Sequence, residues 1–214
     1  PPGLTLFEPL ADSLVSTPRI SVKGRVEDAT LQSVTVNGKA APVTGSDFVL
    51  EGVLLQSGAN EVEVVVTDRA GHKSSQKRIV NLDQLSPKVL TLTPPSKSVD
   101  VPLETKVVVE FSEELSPSSV TPDTFQVLLQ DGSLVSGRRT LSGPVVTFLP
   151  DGTFPDSRVV TVRLSQGIKD LAGNGLTALF EGSFTTLDKT PPGAPLLTPL
   201  PEKTSAVSVS LSGT

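Results

Sequence analysis

The 214-residue sequence contains no Cys, Met, Trp or Tyr and a single His. Without Cys there is no disulfide framework, thiolate metal site or thiol nucleophile. Without Trp or Tyr the usual stacking platforms for sugars are missing, which leaves glycan recognition to Phe and Asx groups. The aromatic content rests on eight Phe. Core packing therefore falls to Val, Leu, Ile and Phe. Clustered positive charge is also lacking: residues 1–86 hold 8 basic against 10 acidic side chains, and residues 87–190 hold 9 against 12. Neither half has the basic patch that phosphate binding needs, so nucleic acid is excluded as a partner. No apolar run approaches the roughly 18–20 residues of a membrane span, and "PPGLTLFEPL" at the start has neither the basic nor the apolar region of a signal peptide.

The chain does have 19 Pro, 17 Gly and 36% hydrophobic residues, the mark of many short elements separated by turns. Between Arg19 and Asn81 apolar residues alternate in short runs: Ile20, Val22 and Val26; Leu31, Val34 and Val36; Phe48 and Leu50; Val62, Val64 and Val66; and Ile79. Period-two patterning of this kind reads as half-buried antiparallel strands. Asn37-Gly38 in "VTVNGKAAPV" predicts a tight hairpin, because both residues tolerate positive φ. A second series of strands is expected at 89–93, 106–111, 125–129, 134–141, 145–149, 158–164 and 179–186. In the run 106–111, period two places Val107, Val109 and Phe111 on the core face and Glu110 outside. Ser116-Pro117 and Thr121-Pro122 permit one or two helical turns at most, and no amphipathic helix of ordinary length appears.

The polar, Pro-containing join at 83–87 sets a domain boundary near residue 85. Pro1-Pro2-Gly3 recurs as Pro191-Pro192-Gly193, and "SVKGR" at 21–25 aligns loosely with "SLSGT" at 210–214. Residues 191–214 therefore read as the opening strands of a third domain of the first type. The division is 1–85, 86–188, and a linker with a truncated third domain over 189–214. A strand pair at 206–211 cannot bury its apolar face alone, so the tail is expected to be disordered or to self-associate through an exposed sheet edge.

In "GIKDLAGNGLTALFEGSF", Asp170, Asn174, Gly175 and Glu181 fall at positions one, five, six and twelve of a calcium-loop window. The first domain repeats the core of this stretch as Asp68, Ala70, Gly71 and His72, against Asp170, Ala172, Gly173 and Asn174. The shared pattern is turn chemistry: an Asp that accepts from backbone amides ahead of it, and a Gly free to take positive φ. Position three is Ala in both copies, and both flanks read as strands, where a calcium loop needs oxygen ligands and helices. Asp68, Gly71, Asp170, Gly173, Asn174, Asn37 and Gly38 are thus assigned as turn formers. Calcium is kept as the alternative, with Asp170, Glu181, Asp83 and Asp188 as its candidate ligands at a domain junction.

"VTVNGKAAPVTGSDFVLEGVLLQSGANEVEVVVTDRAGH" resembles bacterial Ig-like domains with a V-x-V-N-G hairpin and a T-D-x-A-G-N turn, here with His72 in place of Asn. "VDVPLETKVVVEFSEELSPSSVTPDTFQV", with "VVTFLPDGTF", "GIKDLAGNGL" and "GSFTT", resembles the Ig-like type of bacterial surface-layer proteins. The resemblance implies an all-β chain of two tandem antiparallel β-sandwiches plus the start of a third. It also implies a secreted or surface-attached spacer, stalk or adhesive module, some of whose relatives use calcium. Neighbouring Ig-like domains, a surface protein or a glycan are the partners it suggests, and an accessory domain of a polysaccharide-degrading enzyme is a further alternative.

Catalysis finds little support in the residues. His72 is the one available imidazole base and sits in a tight turn. Adjacent Glu113-Glu114 diverge and cannot form a glycosidase pair; they read as a solvated bend. Arg138-Arg139 could meet an acidic partner but reads as ordinary solubilising surface. The chain is expected to be non-catalytic.

Overall fold

The computed structural model describes residues 1–194; the expectation for 206–211 lies outside the described residues. The strands of the first half are β1 (Gly3–Glu8), β2 (Ser13–Val15), β3 (Arg19–Glu27), β4 (Leu31–Val36), β5 (Lys39–Ala40), β6 (Val43–Thr44), β7 (Asp47–Leu54), β8 (Gly58–Asp68) and β9 (Lys73–Leu82). Those of the second half are β10 (Val89–Thr93), β11 (Val107–Phe111), β12 (Phe125–Leu129), β13 (Gly137–Ser142), β14 (Val145–Pro150), β15 (Val159–Leu164) and β16 (Phe180–Thr185). One 3-10 turn, Pro117–Ser119, is the helical element among them, begun by the proline whose fixed φ suits that position.

In the first half a sheet of order β1-β3-β7-β6 faces one of order β2-β9-β8-β4-β5. Side chains alternate along each strand, so Val62, Val64 and Val66 of β8 are fully buried against Val22, Val34, Val36 and Phe48. In the second half the sheets are β10-β11-β14-β13 and β12-β15-β16, around Val107, Val109, Phe111, Phe125, Phe148, Val160 and Phe184. Each half thus has its own core, one built from residues between Leu6 and Leu82 and the other between Val101 and Phe184. The chain is all-β, in layered antiparallel sheets.

The first strand of each half is shared between its sheets. β1 pairs antiparallel with β3 and ends at the cis bond Glu8-Pro9, after which β2 pairs in parallel with β9. β10 likewise pairs with β11 and ends at the cis bond Thr93-Pro94, and Val101 then bridges Thr186 in parallel. This opening segment of the first half is absent from the strand expectations, which begin at Arg19. Its apolar residues are too few and too broken by Pro to show a period.

The Asn37-Gly38 hairpin forms, with φ of 49° and 78° and Val36 paired to Lys39. Glu110 points away from the core, where it accepts from Thr91 Oγ1. The strand expected from residue 134 begins instead at Gly137, since Leu134 makes only an isolated bridge to Leu128 and stays exposed. Arg139 departs from its surface reading. Its guanidinium lies 5.0 Å from the centroid of Phe148, and its Nε donates to the Phe125 carbonyl at 2.8 Å. Burial pulls its pKa below the usual arginine value. The alternation that makes Leu141 inward also turns Arg139 inward, and a guanidinium with a ring beneath it and a carbonyl in reach can remain there.

Candidate junction site

The two Asp-x-Ala-Gly turns share four polar contacts, and the second adds a bond from Gly173 N to Asp170 Oδ1 at 2.6 Å. In the first half, Asp68 N donates to His72 O at 3.1 Å, His72 N to Asp68 Oδ1 at 2.9 Å, and Gly71 N to Asp68 O at 3.1 Å. In the second, Asp170 N donates to Asn174 O at 3.0 Å, Asn174 N to Asp170 Oδ1 at 2.8 Å, and Gly173 N to Asp170 O at 3.4 Å. Gly71 and Gly173 hold φ of 83° and 97°, a region that side chains other than Gly, Asn and Asp rarely enter. The fifth residue then closes back on the carboxylate: His72 Nδ1 lies 2.9 Å from Asp68 Oδ2, and Asn174 Nδ2 donates to Asp170 Oδ2 at 2.8 Å.

Both aspartates are buried, and their carboxyl oxygens are met by these donors. Burial pushes the Asp68 carboxyl up. The hydrogen bonds from the His72 ring and backbone and from the Ala70 backbone together outweigh it and hold the group below the ordinary aspartate range.

The second turn does one thing more. Asn174 Nδ2 also donates to the main-chain oxygen of Asp83 at 2.9 Å, tying the segment that leaves β9 to the turn that precedes β16. Asp83 is fixed at its other atoms too: its N–H donates to Val15 O at 2.9 Å, and its Oδ1 accepts from Leu85 N at 2.9 Å. A β-carbon built on Gly173 would lie 3.8 Å from Ser16 Oγ, so Ser16 stands beside the same turn.

Of the candidate metal ligands, Asp83 and Asp170 are brought together, and Glu113 joins them, with ligand atoms of all three within 4.8 Å of one another. Glu181 is elsewhere, held by Arg163 Nε at 2.6 Å across β15 and β16. Asp188 is also elsewhere, its Oδ1 accepting from Thr190 N at 2.9 Å. Glu113 is the member that sequence reasoning missed. Nothing in "SEEL" marks it, because its neighbours come from residues 30 and 57 positions away. Three carboxylates form an oxygen-only donor set suited to a hard cation, though such ions take about 6–8 oxygens, which would have to include carbonyls and solvent.

Glu113 is half-buried, and its carboxyl is pushed above the ordinary range by burial first and then by the charges of Asp170 and Asp83. An acid whose folded pKa is raised contributes stability that is complete below its unfolded value and is lost as pH rises through the folded one. Glu113→Gln is therefore expected to stabilise the second half by a few tenths of a kcal/mol at neutral pH, after allowance for solvent screening. Thermal denaturation at neutral and at acid pH checks this: the gain should shrink on acidification, and a loss at neutral pH would contradict it.

Among the described residues His72 has no hydroxyl as a hydrogen-bond partner, and its side chain is 64% exposed. A groove of about 360 Å³ runs beside the second turn, lined by Ser116, Ser118, Ser119, Lys169 and the turn backbone. No described helix is long and apolar enough to cross a membrane.

Residues 83–186 match the family described as "Bacterial Ig-like domain", and residues 2–84 match "Glucodextranase, domain B". Over 115 residues the chain is 32% identical to Bacillopeptidase F of Bacillus subtilis (strain 168), a stretch that takes in 53% of this chain and 8% of that protein. Among solved structures, titin domains I67–I69 align over 88% of this chain and 65% of theirs, with a TM-score of 0.50 and 15% identity. The fibronectin(III)-like modules of Clostridium thermocellum CbhA align over 87% and 95%, with a TM-score of 0.44 and 14% identity. The N-terminal part of the bacterial S-layer protein SbsC aligns over 53% and 26%, with a TM-score of 0.38 and 23% identity.

Proposed function

We propose that this tandem of bacterial Ig-like domains is a non-catalytic spacer of a secreted or cell-surface bacterial protein, holding other domains at a fixed distance and angle. We take its modules to divide near residue 85. The observation that carries the reading is the Asn174 hydrogen bond to the Asp83 carbonyl, which turns a linker into a fixed joint. A main-chain acceptor held on three sides has few alternative positions, so the modules are coupled through geometry rather than through a large apolar interface. The family matches support a module of surface or enzyme-associated proteins. An accessory role beside a catalytic domain is consistent with the same joint, because a fixed separation serves either setting. An adhesive role would use the serine-lined groove, whose walls offer hydroxyls and one lysine but no aromatic ring. Calcium is the cofactor this reading admits, at Asp83, Glu113 and Asp170, where it would neutralise the carboxylates at the joint.

Small-angle scattering tests the proposal. A collapsed chain of this length should have a radius of gyration of about 17 Å, and two modules end to end should give roughly 22–25 Å. Asn174→Ala is expected to keep both modules folded while broadening the distribution of intermodule distances. An unchanged profile in that variant would remove the joint from the explanation. The native protein, measured in calcium and then in chelator, shows whether a cation helps to hold the joint. A rod that loosens in chelator gives the cation that role, and identical profiles deny it.

A further inference from the structure

Asn174 stands where the chain enters the second module. The first module repeats this arrangement on the side where its own chain comes in. Its turn shares four of the same contacts, and Ser74, two residues beyond His72, donates through Oγ to Pro2 O at 2.6 Å, which places the turn beside the incoming chain. The exits repeat as well. Leu82-Asp83-Gln84-Leu85-Ser86-Pro87 has its counterpart in Leu187-Asp188-Lys189-Thr190-Pro191-Pro192. In each the Asp carboxylate takes the N–H two residues ahead, from Leu85 and from Thr190, both at 2.9 Å. Each exit is also anchored to its own module by a backbone N–H, from Asp83 to Val15 O and from Leu187 to Val101 O, again both at 2.9 Å.

We infer that the Asp68–His72 turn is a docking point for the exit linker of a preceding Ig-like module, and that the linker at Asp188 offers the matching surface to a following one. The inference rests on the spacer reading and extends it into a rule of assembly: the fifth residue of each turn donates to the main-chain carbonyl of the linker Asp before it. In the second module the donor is an amide. In the first it is an imidazole whose Nδ1 faces Asp68 Oδ2, leaving Nε2 for the linker. A ring that meets Asp68 Oδ2 through Nδ1 and the linker carbonyl through Nε2 uses both of its nitrogens in the joint.

The test uses the whole chain preceded by a second copy of its residues 1–190. The repeated Pro-Pro-Gly then sets the linker at Asp188 before the second copy in its own register. The product has two histidines, and proton–nitrogen NMR of their rings reads each separately. The expected result is two distinct ring signals, the one from the second copy with an Nε2 proton whose exchange is slowed about tenfold. Asp188→Ala in the first copy, which unties the linker turn, should merge the two signals. His72→Asn in the second copy should keep the scattering profile of the parent, whereas His72→Ala should loosen it. Coincident ring signals in the parent, or a His72→Ala profile identical to it, would overturn the inference. Scattering at the Asp83 joint judges the spacer reading separately: docked rings in a loose chain would sink that reading and leave the docking intact.

Discussion

Asp170→Ala should destabilise the second module by about 2–4 kcal/mol while leaving the first at its own melting temperature. The Asp170 carboxylate is 2% exposed and accepts from Gly173 N at 2.6 Å, Asn174 N at 2.8 Å and Asn174 Nδ2 at 2.8 Å. Truncation leaves Asn174 N without its acceptor and leaves Gly173 N and Asn174 Nδ2 only their bonds to Asp170 O and Asp83 O, in a place water reaches poorly, and the cost of an unmade buried hydrogen bond exceeds the net value of a made one. Asn174 would also lose the anchor that aims it at Asp83, so the joint should loosen in the same variant. Calorimetry with two resolved transitions checks the first part and scattering the second. Asp170→Asn is the informative companion, because it keeps an acceptor oxygen for the backbone donors but opposes an amide to the Asn174 amide. It should recover part of the stability and little of the joint.

Phe148→Ala is expected to cost about 3–5 kcal/mol, the range for emptying a large aromatic site in a packed core. Phe148 is fully buried, stacks on Phe125 with centroids 6.4 Å apart, and supports Arg139 from below. A β-carbon at Gly137 would strike the same ring, so the strand above packs its backbone directly on Phe148. The loss therefore has two parts, a cavity and a guanidinium deprived of its ring. At roughly 4 °C per kcal/mol for a domain of about 100 residues, the second transition should fall by at least about 12 °C. Phe148→Leu keeps most of the volume but not the flat face. A variant that recovers most of the stability while Arg139 becomes mobile would separate the two contributions.

Most of the sandwich architecture was legible because its signals are local. Alternating Val in β8, the Asn37-Gly38 turn and the paired Asp-x-Ala-Gly stretches each carry their physics within a few residues. The turns could be matched between modules for the same reason. What escaped depends on partners distant in the chain. Glu113 enters the junction because the bend after β11 meets the turn before β16 and the linker after β9, a meeting that no residue in its own segment announces. The calcium-loop spacing is local in the same way, yet it puts Glu181 on a strand that turns it toward Arg163 and away from Asp170. β1 and β2 were hidden by their brevity and by the Pro between them, and they are recognisable only by what they pair with.

The split of the opening segment between two sheets governs how the protein meets force. β2 runs parallel to β9, so tension applied at the two ends of the first module slides the strands past each other and loads their hydrogen bonds together. Antiparallel neighbours pulled from one end would open one bond at a time. In the second module the segment after β10 is tied to β16 and its exit in the same position, with backbone bonds from Lys97 N to Ser183 O, Thr185 N to Ser98 O, Val101 N to Thr185 O and Leu187 N to Val101 O. Under load each half therefore resists through shear between its opening segment and its closing strand, and holds its length until several bonds give way together.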